Sequence, residues 1–266
     1  MYHIPFNMRE RIGSQRFSVP GVPCLYLGKS VYTCWRELGQ PNDSEFYVSR
    51  ARINDEINIF NMAVNFDTLR HFCNCRDLKD NENFLYSYVK VWILSFACSF
   101  KVKQYNRQFK SEYIVPQLLM LSLKREKIQA IAYLGKVFTE KEATINFANL
   151  NLNVAIIMDV PKPFEDSINN EKMIYSSLMD KISLSPPINF GIFKNIKNMS
   201  RMQNGNSDNS DRSFAIFAQH HIDIMGSCQP YSYTYFCKLE EYIDKMEKKR
   251  DKNRQIISPM KEDETL

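Results

Sequence analysis

Residues 13–40 read GSQRFSVPGVPCLYLGKSVYTCWRELGQ. Within them Ser18-Val19-Pro20-Gly21 is a turn signal that feeds an extended apolar run over residues 23–27. Gly28 ends that run, and Ser30 is placed to cap a helix continuing to about Leu38. Arg16 precedes the turn, Tyr26 stands near the strand end and Glu37 lies on the helix, ten residues before and eleven after the tyrosine. Side chains of these types suit an anionic, aromatic, ribose-containing ligand. A guanidinium fork clamps phosphate, a phenol ring stacks on a heteroaromatic base, and a carboxylate accepts from ribose hydroxyls or stabilises a developing cation. Nicotinamide adenine dinucleotide contains all of these parts.

Outward from this unit, residues 53–62 alternate weakly as a strand would, and a polar connection follows over 77–83. Residues 82–99 are apolar on every side and predict a buried central helix. Residues 114–124 predict a second helix with Pro116 in its first turn. Short apolar strands are expected over 128–134 and 152–158. The pattern then loosens after Pro161 and Pro163, through the low-complexity segment QNGNSDNSDRS at 203–213. A strand over 213–219 and a helix over 235–254, with Leu239, Tyr242, Ile243 and Met246 on one face, complete the reading, followed by a solvated tail, MKEDETL.

Bulk composition excludes few classes. The chain has 266 residues, 44% hydrophobic and 24% charged, as soluble globular proteins do, and its net charge of +5 favours an anionic ligand without demanding nucleic acid. The seven cysteines, at 24, 34, 73, 75, 98, 228 and 237, follow no disulfide pattern and read as reduced thiols of a cytoplasmic protein. The most apolar stretch, residues 91–100, is too short to span a bilayer, and MYHIPFNMRER lacks the apolar core of a signal peptide.

The wording of several blocks resembles the RES domain family. These are HIPF at 3–6, QRFSVPGVPCLYLGKSVYTCWREL around the Arg16, Tyr26 and Glu37 positions, SEYIVPQLLM at 111–120 and IQAIAYLG at 128–135. The resemblance is to the long-form branch and covers residues 3–160; residues 1–160 are taken as an NAD-binding catalytic core, with 161–266 as a C-terminal extension packed on the same domain. It implies an α+β fold, with a small mixed sheet flanked by helices in an ADP-ribosyltransferase-like arrangement. It also implies a bacterial toxin of the toxin–antitoxin kind that degrades NAD+ as substrate, with no resident cofactor and inorganic phosphate as a candidate co-substrate. In that assignment Arg16 anchors the phosphates or the adjacent ribose, Tyr26 stacks on nicotinamide, and Glu37 sits where the ribose becomes cationic. The partner implied is an Xre-like antitoxin that occludes the NAD+ site. Water, phosphate or a protein side chain as acceptor distinguishes a glycohydrolase, a phosphorylase and an ADP-ribosyltransferase. A catalytically silent binding module is the alternative from another class.

Two features depart from the family pattern. The chain opens almost directly on HIPF, where the family has a preceding stretch, and Gly135 stands where the family's serine is expected. Glycine keeps its backbone donor but lacks the hydroxyl. The neighbouring Lys136 reads as a solvated charge. His71, Cys73 and Cys75 lack a second ligand pair with zinc-site spacing. The adjacent His220 and His221 would face opposite sides of a strand. The basic run at 248–254 is diluted by Glu247 and Asp251, and the YSYTYF segment at 231–236 reads as an ordinary strand, so nucleic-acid binding is not expected.

Overall fold

The computed structural model describes residues 3–64, 78–104, 106–107, 109–135, 150–158, 177–203, 221–224 and 227–257. In chain order the elements are β1 (Cys24–Gly28), α1 (Val31–Glu37), β2 (Tyr47–Val48), β3 (Ala51–Ile53), β4 (Ile59–Asn61), α2 (Leu78–Ala97) and α3 (Ile114–Arg125). After them come β5 (Ala130–Leu134), β6 (Leu152–Ile157), β7 (Ile182–Leu184), β8 (Ile188–Asn189), α4 (Phe190–Gln203), β9 (His221–Ile224), β10 (Ser227–Pro230) and α5 (Tyr235–Ile257). The fold is α+β, as expected. The chain forms two compact units, one comprising Met1–Lys29 with Ala51–Ser183 and the other Ser30–Arg50 with Leu184–Leu266. The expected boundary at residue 160 lies outside the described residues.

The first unit is built on a mixed four-stranded sheet in the order β1-β6-β5-β4. Strand β6 runs antiparallel to both β1 and β5, and β4 lies parallel to β5. Tyr26 pairs with Ala155 and Ala155 with Ile131, so the period of two puts Cys24, Tyr26, Ile131, Tyr133, Ala155 and Ile157 on one face. That face packs with Phe17, Met62, Cys98, Met120 and Leu123 into one apolar cluster. Leu25, Ala130 and Ile156 on the opposite face are buried too. Burial on both faces explains why β5 reads as a continuous apolar run and not as an alternation. Pro116 falls in the first turn of α3, where its missing N–H breaks no helical bond.

In the second unit β2 pairs with β8 antiparallel, and the aromatic rings of Tyr32, Trp35, Phe190 and Phe236 gather between α1, α4 and α5. Phe190 and Phe236 stack with centroids 4.9 Å apart. Gly39, at φ +78°, closes α1 by donating its N–H to the Arg36 carbonyl. Gly191 lets the start of α4 approach the 43–44 backbone, since a Cβ there would lie 3.1 Å from the Asp43 carbonyl.

Several expectations change in the structure. Helix α2 is not buried all round. Tyr88 and Cys98, which follows the helix, are buried, whereas Tyr86, Trp92, Ile93 and Phe96 are between 50% and 65% exposed. A helix laid on one face of a sheet has a neighbour on one side only, so its apolar surplus stays in solvent. The alternation over 53–62 resolves into two short strands, β3 and β4, with residues 54–58 between them. The polar segment before α2 is already helical from Leu78. Residues 231–233 form a 3-10 turn and not a strand, because Thr234 caps α5 by accepting from the Cys237 N–H at 3.2 Å. On α5, Leu239 and Ile243 are buried while Tyr242 and Met246 are exposed, which narrows the expected face. The strand over 213–219, residues 204–213 of the polar segment, the tail and the His71, Cys73, Cys75, Lys136 and His220 positions lie outside the described residues. Among the described residues no helix is long and apolar enough to cross a membrane.

The division between packed and unpacked apolar groups gives a direct expectation. Ile131, fully buried, should cost about 2–5 kcal/mol when changed to alanine. Phe96→Ser, on the exposed side of α2, should cost less than about 1 kcal/mol. Urea denaturation midpoints of the two variants check both.

Candidate functional site

Arg16 and Phe17 occupy the two central positions of a tight turn closed by Gln15 and Ser18, which exchange backbone hydrogen bonds of 3.1 and 3.4 Å. Three further contacts hold this turn to α3. The Gln117 side-chain amide lies 2.8 Å from the Gln15 carbonyl, 3.1 Å from the Ser18 carbonyl and 2.9 Å from the Ser14 hydroxyl, and it donates to all three. Phe17 anchors the turn from below. It is 1% exposed, and its ring lies 4.6 Å from that of Tyr133. With Phe17 in the core, Arg16 is left half-buried, its guanidinium carbon 5.5 Å from the centre of the Tyr133 ring. Among the described residues no carboxylate pairs with Arg16.

Tyr26 joins the same cluster through its hydroxyl, which accepts from the Phe17 N–H at 3.2 Å. Burial pushes its phenol well above the ordinary tyrosine range, with Cys24 and Tyr133 adding to the shift. The group is therefore a neutral phenol. Its ring packs partly buried against the sheet cluster. The first unit thus brings together Arg16, Tyr26 and Tyr133: one cation and two phenol rings at the edge of an apolar core. Cys24, next to this cluster, is pushed up to about 12 by burial, which keeps it a thiol and removes it as a nucleophile at neutral pH. The cysteines at 24, 34, 98 and 237 form no disulfides.

Glu37 belongs to the second unit. It is the last residue of α1 and is exposed. Ser30 caps that helix as expected: its hydroxyl accepts from the Thr33 N–H at 3.1 Å and donates to Thr33 Oγ1 at 2.9 Å. A carboxylate in the last turn stands at the negative end of the helix dipole, which raises its electrostatic energy and favours an approaching positive charge.

Gly135 differs from its expected chemistry. Its N–H is not available to a ligand, because it donates to the Asn151 carbonyl at 2.9 Å, while its own carbonyl accepts from the Asn151 side chain at 2.8 Å. Asn151 Oδ1 is buried without a hydrogen-bond partner. Gln117 and Asn151 are the positioning residues that reading the sequence did not find. The only sequence signal for either is a polar residue within an apolar run, Gln117 in IVPQLLM and Asn151 before LNVAII. Among the described residues no cluster of histidine, cysteine or carboxylate side chains could hold a metal.

No family model matches the chain, and no solved structure matches it. A Bacillus subtilis (strain 168) protein named "Putative toxin YopC" is 38% identical over 164 residues, a span covering 59% of this chain and 36% of that protein. The chain therefore spans little more than a third of the length of this relative.

The turn geometry carries its own test. Gln117→Leu should lower stability by about 1–2 kcal/mol through loss of its carbonyl contacts, and Tyr26→Phe by about 1 kcal/mol through loss of the acceptor for Phe17. Thermal and urea unfolding measure both, and a stability equal to wild type for Gln117→Leu would show that the turn is held by other contacts.

Proposed function

We propose that the chain is a toxin-like enzyme that consumes NAD+ by breaking the nicotinamide–ribose bond. The observation that carries this reading is the Arg16 charge, left without a carboxylate partner among the described residues and held by a clamped turn beside the Tyr26 and Tyr133 rings. Such a site attracts phosphate, and the partly exposed Tyr26 ring offers a surface to a heteroaromatic ring. The name of the Bacillus subtilis relative agrees with a toxin role, and the RES-like wording of residues 3–160 supplies the substrate.

In the proposed reaction the bond from ribose C1′ to the pyridinium nitrogen breaks, and its electron pair neutralises the ring, which leaves as nicotinamide. The cationic ribose that develops is stabilised by a carboxylate, the role that the RES-like wording of residues 3–160 gives to Glu37. An oxygen of water or inorganic phosphate then bonds to C1′, and with water the proton passes to solvent. Arg16 holds the diphosphate throughout, and Tyr26 lies against the nicotinamide ring. The protein acts in the cytoplasm, where NAD+ is available, and an Xre-like antitoxin covering the Arg16–Tyr26 cluster would control it.

A silent binding module is the second reading, and Gly135 favours it. The family's serine hydroxyl is missing there, and the Gly135 backbone donor is engaged by the Asn151 carbonyl.

Purified protein incubated with NAD+, with and without phosphate, distinguishes these readings by the nicotinamide and ADP-ribose products. Glu37→Ala should lower kcat by about 100-fold or more while the protein stays folded. Arg16→Ala should raise KM about 10- to 100-fold. Turnover by folded Glu37→Ala at the wild-type rate would remove Glu37 from the mechanism, and a folded wild type without turnover would favour the silent module.

A further inference from the structure

The start of α1 is capped by two groups that lie some two hundred residues further along the chain. Glu240 Oε1, on α5, accepts from the Val31 N–H at 2.6 Å and from the Tyr231 hydroxyl at 2.6 Å. The Tyr231 hydroxyl in turn accepts from the Tyr32 N–H. Together with the Ser30 hydroxyl on the Thr33 N–H, these contacts satisfy the first three backbone donors of α1, which the helix itself cannot satisfy. The packing around them is tight: Tyr231, Tyr32 and Leu239 are 0% exposed. Both donors converge on one carboxyl oxygen, so a neutral Glu240 can hold the clamp through Oε1 with its proton on Oε2.

We propose that Glu240 is a positioning residue, which through this clamp on Val31 and Tyr231 fixes α1 and thereby the Glu37 carboxylate at the other end of the helix. The significance for catalysis rests on the NAD+-consuming reading. The clamp itself does not.

Burial raises Glu240 from 4.5 to about 7, outweighing the hydrogen bonds from Tyr231 and Val31 that favour its charged form. Because the clamped form binds the proton more tightly than a solvated glutamate does, the stabilisation is fully present below about pH 4.5 and is lost as the pH rises through about 7. The titratable groups beside it on α5 are Cys237, pushed up to about 12 by burial, and Glu241, with Lys238 close to Cys237. Tyr231, from the 3-10 turn, is raised well above the ordinary tyrosine range by burial and by the Glu240 charge. From helix α1 the Val31 N–H donates to Glu240. Cys237 and Tyr231 thus keep their protons between pH 6 and 8.

The test reads the Val31 amide directly. In wild type its hydrogen-exchange protection, corrected for the intrinsic pH dependence, should fall about tenfold between pH 6 and 8. In Glu240→Gln, which keeps the accepting oxygen but has no proton to lose, it should stay level. Glu240→Ala should lose the protection at every pH. An equal fall in wild type and Glu240→Gln, or no fall in wild type, overturns the proposal. NAD+ turnover is followed on the same samples over the same range. Wild-type kcat should fall with rising pH where that of Glu240→Gln does not, with KM moving less than kcat. A titrating Val31 in a protein that consumes no NAD+ supports the clamp and overturns the enzyme reading. Turnover with matching pH profiles in wild type and Glu240→Gln overturns the link to Glu37.

Discussion

The antiparallel pairing of β1 with β6 is the constraint on which the first unit depends. It joins residues more than 120 positions apart and sets Tyr26 opposite Ala155, whose other neighbour is Ile131. A shift of one residue in that register would turn Tyr26 to the opposite face and separate it from Phe17 and Tyr133. The cluster around Arg16 is therefore a product of sheet register before it is a product of any local motif.

Within that frame the charge of Arg16 is preserved by what surrounds it. Its nearest neighbours are a phenol ring and a turn whose carbonyls are already engaged by Gln117. An arginine buried against a carboxylate would have much of its field cancelled, and among the described residues no carboxylate pairs with Arg16. Glu37 is placed with a related economy of means. It sits at the negative end of α1, where the helix dipole favours positive charge. At the opposite end of the same helix Glu240 is in the reverse situation, a half-buried carboxylate that accepts from the first backbone donor of the helix, the Val31 N–H.

Much of the secondary structure was legible because local rules and tertiary packing agree. The Ser30 cap, the proline in the first turn of α3 and the apolar runs of β5 and β6 are all placed by short-range chemistry. The failures occur where a long-range partner decides. An all-round apolar pattern made α2 look central, yet its one packed side is set by the single sheet face available to it. Alternating tyrosines suggested a strand at 231–236, but the Thr234 cap and the Tyr231–Glu240 contact draw the backbone into a turn.

The sequence by itself determined which side chains are available near Tyr26, the strand-to-helix passage that carries them, and the α+β character of the chain. These depend on spacing, capping and turn residues within a few positions of one another. Only the tertiary structure decided that Gln117 holds the Arg16 turn, that Asn151 occupies the Gly135 donor, and that Glu240 caps α1. Each of those is a hydrogen bond between polar groups brought together by burial, in two of the three cases about a hundred residues apart or more. No periodicity records such a meeting, because it arises when the backbone donors and acceptors of one element must find partners wherever the packing leaves them.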